Sequence, residues 1–271
     1  MLHLPASKNP SQRYHKSTRI CSRNRNRLGV ALYLLFFTKP TVSQVTEAFT
    51  DPVTGINFQR FFGARTGFSF GIALPENPST DFIGQISCPI PSGSGWAGIA
   101  LQDDMEGPLL LAAWPNGDTV VSTFRVAEDE DENPPVVQGE FRAIDIPSGT
   151  SVNDTHMTWT FLCQNCVGNG ETGFTAQDTA GTVEMGWGLA DRAVSNAGDP
   201  AAELSFHNVG FGGFDAVLSL ARSPLFGEWA LLAGVESNGS TTPISVLPPG
   251  TFVGGDGGDD DDSGDESDDD D

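Results

Sequence analysis

Short runs of apolar residues, several of them alternating with polar ones, recur along the chain between about residues 47 and 234. Clusters of Gly, Pro, Asn and Asp separate these runs. A period of two residues is typical of β-strands, and many short strands joined by turns predict a sandwich or a barrel. The predicted strands are Ile56–Phe62, Gly67–Leu74, Phe82–Ser87, Gly95–Leu101, Leu109–Trp114, Thr119–Val126, Val136–Ile144, His156–Leu162 and Thr182–Ala190.

Two local signals refine this β-rich prediction. Asn116-Gly117 lies between two predicted strands and favours a tight hairpin, because both residue types accept a left-handed backbone. Ser223-Pro224 predicts a helix start, with serine as the N-cap and proline at the first helical position. The apolar stretch Leu225–Leu232 is the expected helix. The sequence therefore predicts one all-β domain over residues 44–235, with one short helix at its C-terminal end.

The two ends of the chain differ in composition from this domain. Residues 1–27 are polar and basic, the apolar run Leu28–Phe37 follows, and small residues precede Gln44. These are the parts of a secretory signal peptide, and the run is shorter than the roughly twenty residues of a membrane-spanning helix. We predict a signal peptide over residues 1–43, secretion to the extracellular space and no stable membrane insertion. Residues 236–271 predict a disordered linker and an acidic tail.

The charge of the chain is strongly negative. The 36 acidic residues outnumber the 14 Lys and Arg residues, which gives a formal net charge of −22. Eight of the basic residues lie in the predicted signal peptide, so its removal leaves a charge of about −30. A surface of this sign repels phosphate backbones and anionic lipids, which argues against nucleic acid as a partner. It suits work at acidic pH or contact with basic partners.

Motifs for nucleophilic catalysis or nucleotide binding do not occur. The sequence has no Gly-x-Ser-x-Gly, no His-Glu-x-x-His and no glycine-rich phosphate loop. The carboxylate run Glu128–Glu132 is typical of a solvated loop. Acidic pairs are so frequent that composition alone leaves a glycosidase dyad open.

Cys163-Gln164-Asn165-Cys166 admits several interpretations. A thioredoxin-like motif needs a helix start, yet this pair follows a predicted strand. Covalent haem attachment needs a histidine directly after the second cysteine, where Val167 stands. A zinc half-site needs a second cysteine pair. A local disulfide is the favoured interpretation, and Cys88 is expected to be a small buried residue.

One methionine and one histidine have unusual surroundings. Met105 lies in a polar loop between two strongly apolar strands, whereas Met157 and Met185 lie inside predicted strands and are expected to fill the core. His207 is flanked by glycines, which let a backbone approach a flat ligand, and by the aromatic residues Phe206, Phe211 and Phe214. A Met/His pair is a known axial ligand set for haem. A surface methionine and an ordinary histidine are the alternatives.

These segments, taken together, resemble the haem-binding cytochrome domain of fungal cellobiose dehydrogenases. Four stretches occur in the same order as in that family and are spread over residues 49–215. They are Phe49–Gly55, Trp96–Trp114 with Asn116-Gly117, Trp159–Cys166, and Phe206–Asp215.

The resemblance implies an immunoglobulin-like antiparallel β-sandwich, related to DOMON domains, that encloses one non-covalent haem b. It implies Met105 and His207 as the axial iron ligands and a disulfide between Cys163 and Cys166. The implied function is transfer of single electrons from a flavin-dependent dehydrogenase, or a small reductant, to a lytic polysaccharide monooxygenase or ferric iron. The acidic run Glu128–Glu132 departs from the family pattern near the haem edge.

A further departure is that no flavin domain accompanies the cytochrome segment. We expect either a free-standing cytochrome or a truncated gene model, neither of which oxidises cellobiose unaided. Two other functions stay open. One is a haem-free, DOMON-like carbohydrate-binding module that stacks sugars on tryptophans, and the other is a secreted acidic hydrolase.

Overall fold

The computed structural model describes residues 44–234 apart from residues 78, 169 and 171. The predicted signal peptide, residues 1–43, and the predicted tail, residues 236–271, lie outside the described residues. Within the described ranges, no helix is both long and apolar enough to cross a membrane.

The strands of this part of the chain form two sheets. They are β1 (Glu47–Thr50), β2 (Asn57–Phe62), β3 (Ser69–Pro75), β4 (Phe82–Pro89), β5 (Trp96–Ala100), β6 (Leu109–Asn116), β7 (Thr119–Val126), β8 (Arg142–Asp145), β9 (Ser151–Val152), β10 (His156–Gln164), β11 (Val183–Ala190), β12 (Gly210–Ala216) and β13 (Arg222–Ser223). The larger sheet has the order β1-β2-β3-β4-β10-β8, with β9 beside β10 and β13 parallel to the end of β3. The smaller sheet has the order β12-β11-β5-β6-β7, and all of its pairs are antiparallel.

The main hydrophobic core lies between the two sheets. Every second residue of β6, namely Leu109, Leu111 and Ala113, belongs to this core, together with Phe161 of the larger sheet. Met157 and Met185 are fully buried there, as predicted. The two sheets bury their apolar faces against each other, so the predicted β-sandwich is confirmed.

Each sheet also has an outer face that is partly covered. Helix α1 (Phe226–Ala230), followed by a 3-10 turn at Leu231–Ala233, packs Phe226 and Trp229 against Ile83 and other residues of the larger sheet. The covering segment of the smaller sheet is the loop that spans residues 191–209. It packs on Trp96 and Trp114. Part of the smaller sheet's outer face is left uncovered, and the candidate site lies there.

Two interpretations of the strand pattern need correction. Val136–Ile144 is not one strand: Val137 donates a backbone hydrogen bond to Phe124 of β7, whereas Arg142–Asp145 pairs with β10 in the other sheet. The chain changes sheets within the predicted strand, which local alternation does not reveal. The glycine-rich stretch Gly210–Ala216, interpreted only as a ligand contact, is the edge strand β12.

The helix lies within the predicted stretch, but the predicted start at Ser223-Pro224 is wrong. The helix begins at Phe226, with Leu225 as the N-cap and no side-chain capping bond. Ser223 instead accepts a hydrogen bond from the Leu225 backbone N–H, at 3.2 Å, in the turn before the helix. The hairpin prediction is confirmed, but the two turn residues are Gly117 and Asp118, because Asn116 ends β6 and pairs with Thr119.

The cysteines behave as predicted. Cys163 and Cys166 form a disulfide, with their Cα atoms 5.6 Å apart. Cys88 is fully buried in the core between the sheets, and burial raises the pKa of its thiol to about 12. A thiol with so high a pKa carries almost no thiolate at neutral pH and is therefore unreactive.

Candidate cofactor cleft

A cleft of about 620 Å³ lies on the outer face of the smaller sheet, and both Met105 and His207 line it. Its volume is within the usual range of small-molecule and cofactor sites. The cleft thus lies outside the packed interior between the two sheets. A smaller cleft of about 250 Å³, beside β1 and β2, contains neither residue.

The floor of the cleft is a patch of very small residues on neighbouring strands. Gly188, Gly98 and Ala112 are adjacent across β11, β5 and β6, and Gly186 pairs with Ala100 in the next row. None of these five residues carries more than a methyl group. The patch is therefore flat, and a planar ligand can lie close to the backbone there.

The β5–β6 loop brings Met105 to one side of the cleft. The carboxylate of Asp104 accepts hydrogen bonds from the backbone N–H groups of Met105, at 2.7 Å, and Glu106, at 3.3 Å. The loop is tied to the acidic loop of residues 127–135 by a 3.0 Å bond from the Gly107 N–H to the Ala127 carbonyl. The Met105 side chain is half-buried. A soft thioether thus lines a cleft from a loop held at several points.

His207 lies at the end of the segment that covers the sheet. Its ring centroid is 4.3 Å from that of Phe206 and 4.5 Å from that of Phe211. A Cβ atom placed on Gly188 would lie 3.4 Å from the His207 Cβ and Cδ2 atoms, so the histidine packs directly on the floor. Met105 and His207 are far apart in sequence, and the fold brings both to one cleft.

The His207 imidazole is partly withdrawn from water. Its Nδ1 atom is buried without a hydrogen-bond partner. Burial lowers the pKa of His207 more than the contact with its own backbone and the negative charge of Glu130 raise it. A lowered pKa favours the neutral ring, which is the form that binds a metal.

The three predicted aromatic contacts have different positions. Phe206 and Phe211 line the cleft and are 65% and 62% exposed. Phe214 is fully buried between the sheets and stacks on Phe61, with ring centroids 4.5 Å apart. The fold therefore does not bring Phe214 to the cleft. Phe211 and Phe214 lie on opposite faces of β12, because their separation along the strand is odd.

Negative side chains surround the cleft. The carboxylate residues that line it are Asp103, Asp104, Glu130, Asp131, Glu132 and Glu203. The loop that contains Glu128–Glu132 is exposed, as predicted, and three of its acids reach the cleft. Among the lining residues Arg125 is the one permanent cation, and it is 2% exposed. The mouth is anionic, and the single positive charge is buried.

Sequence reasoning missed the floor, Arg125 and Trp187. The floor had a detectable signal, since Gly98 and Ala100, like Gly186 and Gly188, recur at the period of a strand. Trp187 lines the cleft and stacks on Phe68, and its buried Nε1 atom has no hydrogen-bond partner. In the described part of the chain, no three His, Cys, Asp or Glu side chains are grouped so as to hold a metal ion.

Residues 49–228 match the model of the family described as the cytochrome domain of cellobiose dehydrogenase. The chain belongs to this family. Among solved structures, the cytochrome domain of Myriococcum thermophilum cellobiose dehydrogenase is similar, with 33% identity and a TM-score of 0.63. That similarity covers 72% of this chain and 98% of the solved one. The resemblance drawn from the sequence is confirmed, and membership of a cytochrome family is consistent with electron transfer.

Two further similarities involve Coprinopsis cinerea. The cytochrome b domain of its pyranose dehydrogenase has a TM-score of 0.62 at 24% identity, covering 71% of this chain and 97% of that one, which supports the fold alone. Its pyrroloquinoline quinone-dependent pyranose dehydrogenase is 29% identical over 163 residues. Those residues are 58% of this chain and 22% of the relative. This family member therefore spans less than a quarter of that relative.

Proposed function

We propose that this chain binds one haem b without a covalent bond, with Met105 and His207 as axial ligands, and carries single electrons. One observation carries the proposal: a thioether and an imidazole from distant loops line the same cleft, above a flat floor of small residues. When bound, haem b supplies an iron that is reduced and oxidised by one electron.

The residues of the cleft fit such a group. The glycine and alanine floor accepts a planar ring, and Phe206 and Phe211 add apolar contacts beside the histidine. Burial favours the neutral, metal-binding form of His207. Met105 and His207 would both hold the iron of a bound haem, and a haem held by two protein side chains would supply one-electron transfer rather than oxygen chemistry.

The proposed partners are extracellular redox proteins. The predicted signal peptide supports secretion. The family supports a sugar dehydrogenase as the electron donor. The name of the C. cinerea relative suggests that this donor is either a quinone-dependent or a flavin-dependent enzyme. We propose a lytic polysaccharide monooxygenase or ferric iron as the acceptor. The anionic cleft mouth predicts that each encounter depends on ionic strength.

The carbohydrate-binding alternative receives no support from the tryptophans. Trp96, Trp114, Trp159 and Trp229 are buried, and Trp187 is half-buried against Phe68. Sugar stacking needs an open aromatic face, and none of these side chains presents one.

The test is a visible spectrum of the purified protein with added haemin. We expect a six-coordinate, low-spin spectrum in both oxidation states and release of the haem by acid–acetone.

Met105→His should retain haem at a lower reduction potential, because a nitrogen ligand favours ferric iron more than a thioether does. His207→Ala should lose haem or leave it five-coordinate. The control His156→Ala changes an exposed histidine of β10 and should leave the spectrum unchanged. Absence of a Soret band, or the parent spectrum in both ligand variants, would refute the proposal.

A further inference from the structure

Arg125 is a buried cation on the outer face of β7. Its guanidinium donates hydrogen bonds from Nη1 to the Asn133 side chain, at 2.8 Å, and to the Pro134 carbonyl, at 2.9 Å. Nη2 donates to the carbonyls of Pro200, at 3.0 Å, and Ala202, at 2.6 Å. The side chain thus joins the acidic loop, residues 127–135, to the covering segment, residues 191–209.

The environment of this cation is unusual because its described hydrogen-bond acceptors are carbonyl and amide oxygens rather than carboxylates. Its Nε atom is buried without a partner. Burial lowers the pKa of Arg125 to about 10, although the charge of Asp199 opposes the shift, so the side chain stays charged at neutral pH. Burying a charge is unfavourable unless hydrogen bonds compensate for it. An apolar side chain would avoid this cost but would not link the two loops.

The link continues towards His207. Asn133, itself held by Arg125, donates a 2.7 Å hydrogen bond to the Leu204 carbonyl. The Trp96 indole N–H donates to the next carbonyl, that of Ser205, at 2.9 Å. The backbone that leads to the histidine is therefore fixed at successive carbonyls by side chains from the sheet and the acidic loop.

We propose that Arg125 is a positioning residue, which acts with Asn133 to fix the segment before His207 against the sheet and to hold the acidic loop at the cleft mouth. The inference rests on the proposed function only in that His207 is the ligand being positioned. Without this link, the two loops separate, the histidine samples other orientations, and a ligand in the cleft is held less firmly.

The first test measures amide hydrogen exchange in the segment before His207, on the purified protein with and without added haemin. Arg125→Gln keeps a hydrogen-bonding side chain without the charge, and Asn133→Ala removes an exposed amide and is expected to fold. In both variants, amides of residues 199–208 should exchange about tenfold faster, while those of β10 keep the wild-type rate.

Matched controls are Arg222→Lys, at an arginine that bonds to Thr179 and does not line the cleft, and Asn57→Ala, at an exposed asparagine of β2. Both should leave residues 199–208 unchanged. Wild-type exchange in Asn133→Ala, or equal acceleration in Asn57→Ala, would overturn the positioning role. If Arg125→Gln does not fold, Asn133→Ala decides.

The second test measures how fast bound haem is transferred from the protein to apomyoglobin. Release should be about tenfold faster from Asn133→Ala than from wild type, with a smaller low-spin ferric fraction. Unchanged release and spin state would contradict the link to His207. If the wild-type protein takes up no haem, the proposed function fails, whereas the exchange measurement still tests whether Arg125 fixes the segment.

Discussion

Phe211 and Phe214 lie three residues apart on β12. Truncating each of them to alanine distinguishes a side chain of the cleft from a side chain of the core. The sequence alone suggests the same role for both, as contacts of a planar cofactor. The structure assigns Phe214 to the packed interior and Phe211 to the surface beside His207. The two substitutions remove the same atoms, so a difference between them reports the surroundings.

The expected magnitudes follow from burial. Phe214 is 1% exposed and stacks on Phe61, at 4.5 Å and an interplanar angle of 7°, with Phe70 at 6.2 Å. Truncation of a buried phenylalanine costs about 3–5 kcal/mol, which lowers the Tm of a domain of this size by roughly 6–20 °C. Phe211 is 62% exposed, so its truncation should cost less than about 1 kcal/mol.

The assay is chemical and thermal unfolding followed by circular dichroism, on protein without added haemin, since a bound ligand stabilises the folded state by mass action. Haem uptake is then titrated on the folded variants. Phe211→Ala should weaken uptake at nearly unchanged stability, and Phe214→Ala should show the reverse. Equal losses of stability, or a larger loss for Phe211→Ala, would refute the division of β12 into a core face and a cleft face.

Three other predictions concern charge and cross-links. Burial raises the pKa of the Asp81 carboxyl, and this effect outweighs that of the hydrogen bonds the carboxyl accepts. The folded state therefore binds the proton more tightly than the unfolded state does. Stability is consequently lost as the pH rises through the raised pKa. The urea midpoint of Asp81→Asn should therefore change less with pH than that of wild type or of the exposed control Asp118→Asn, and equal slopes would contradict this. Replacing Cys163 and Cys166 by alanine should lower the free energy of unfolding by about 2 kcal/mol, because the closed loop is short, without changing the haem spectrum. Free thiols in the purified wild-type protein, seen by mass spectrometry, would count against the bond. In stopped-flow experiments, added salt should lower the rate at which the cationic oxidant hexaammineruthenium(III) oxidises the reduced protein and raise the rate with anionic ferricyanide. Both salt effects should be weaker in Glu130→Gln. Rates that do not change with salt would exclude a role for the anionic mouth.

Local pattern was sufficient for much of the fold. Strand β7 begins and ends at the predicted residues, and the predicted hairpin joins it to β6 through Gly117 and Asp118, because alternation and turn chemistry depend on neighbours in the chain. Residue type together with family resemblance also selected Met105 and His207, and the fold brings both to one cleft. The close spacing of Cys163 and Cys166 made their disulfide predictable.

Long-range pairing decided the rest. The segment Val136–Ile144 alternates like one strand, yet its two ends pair with different sheets, and nothing local specifies the partners. The sequence pattern does not distinguish the buried Arg125 from an ordinary surface arginine of a strand. Its hydrogen-bond acceptors lie in two loops that only the folded chain brings together. Once residues 210–216 form a strand, the odd separation of Phe211 and Phe214 places them on opposite faces. Which of the two faces the core depends on where the second sheet packs, and that is set by the tertiary structure alone.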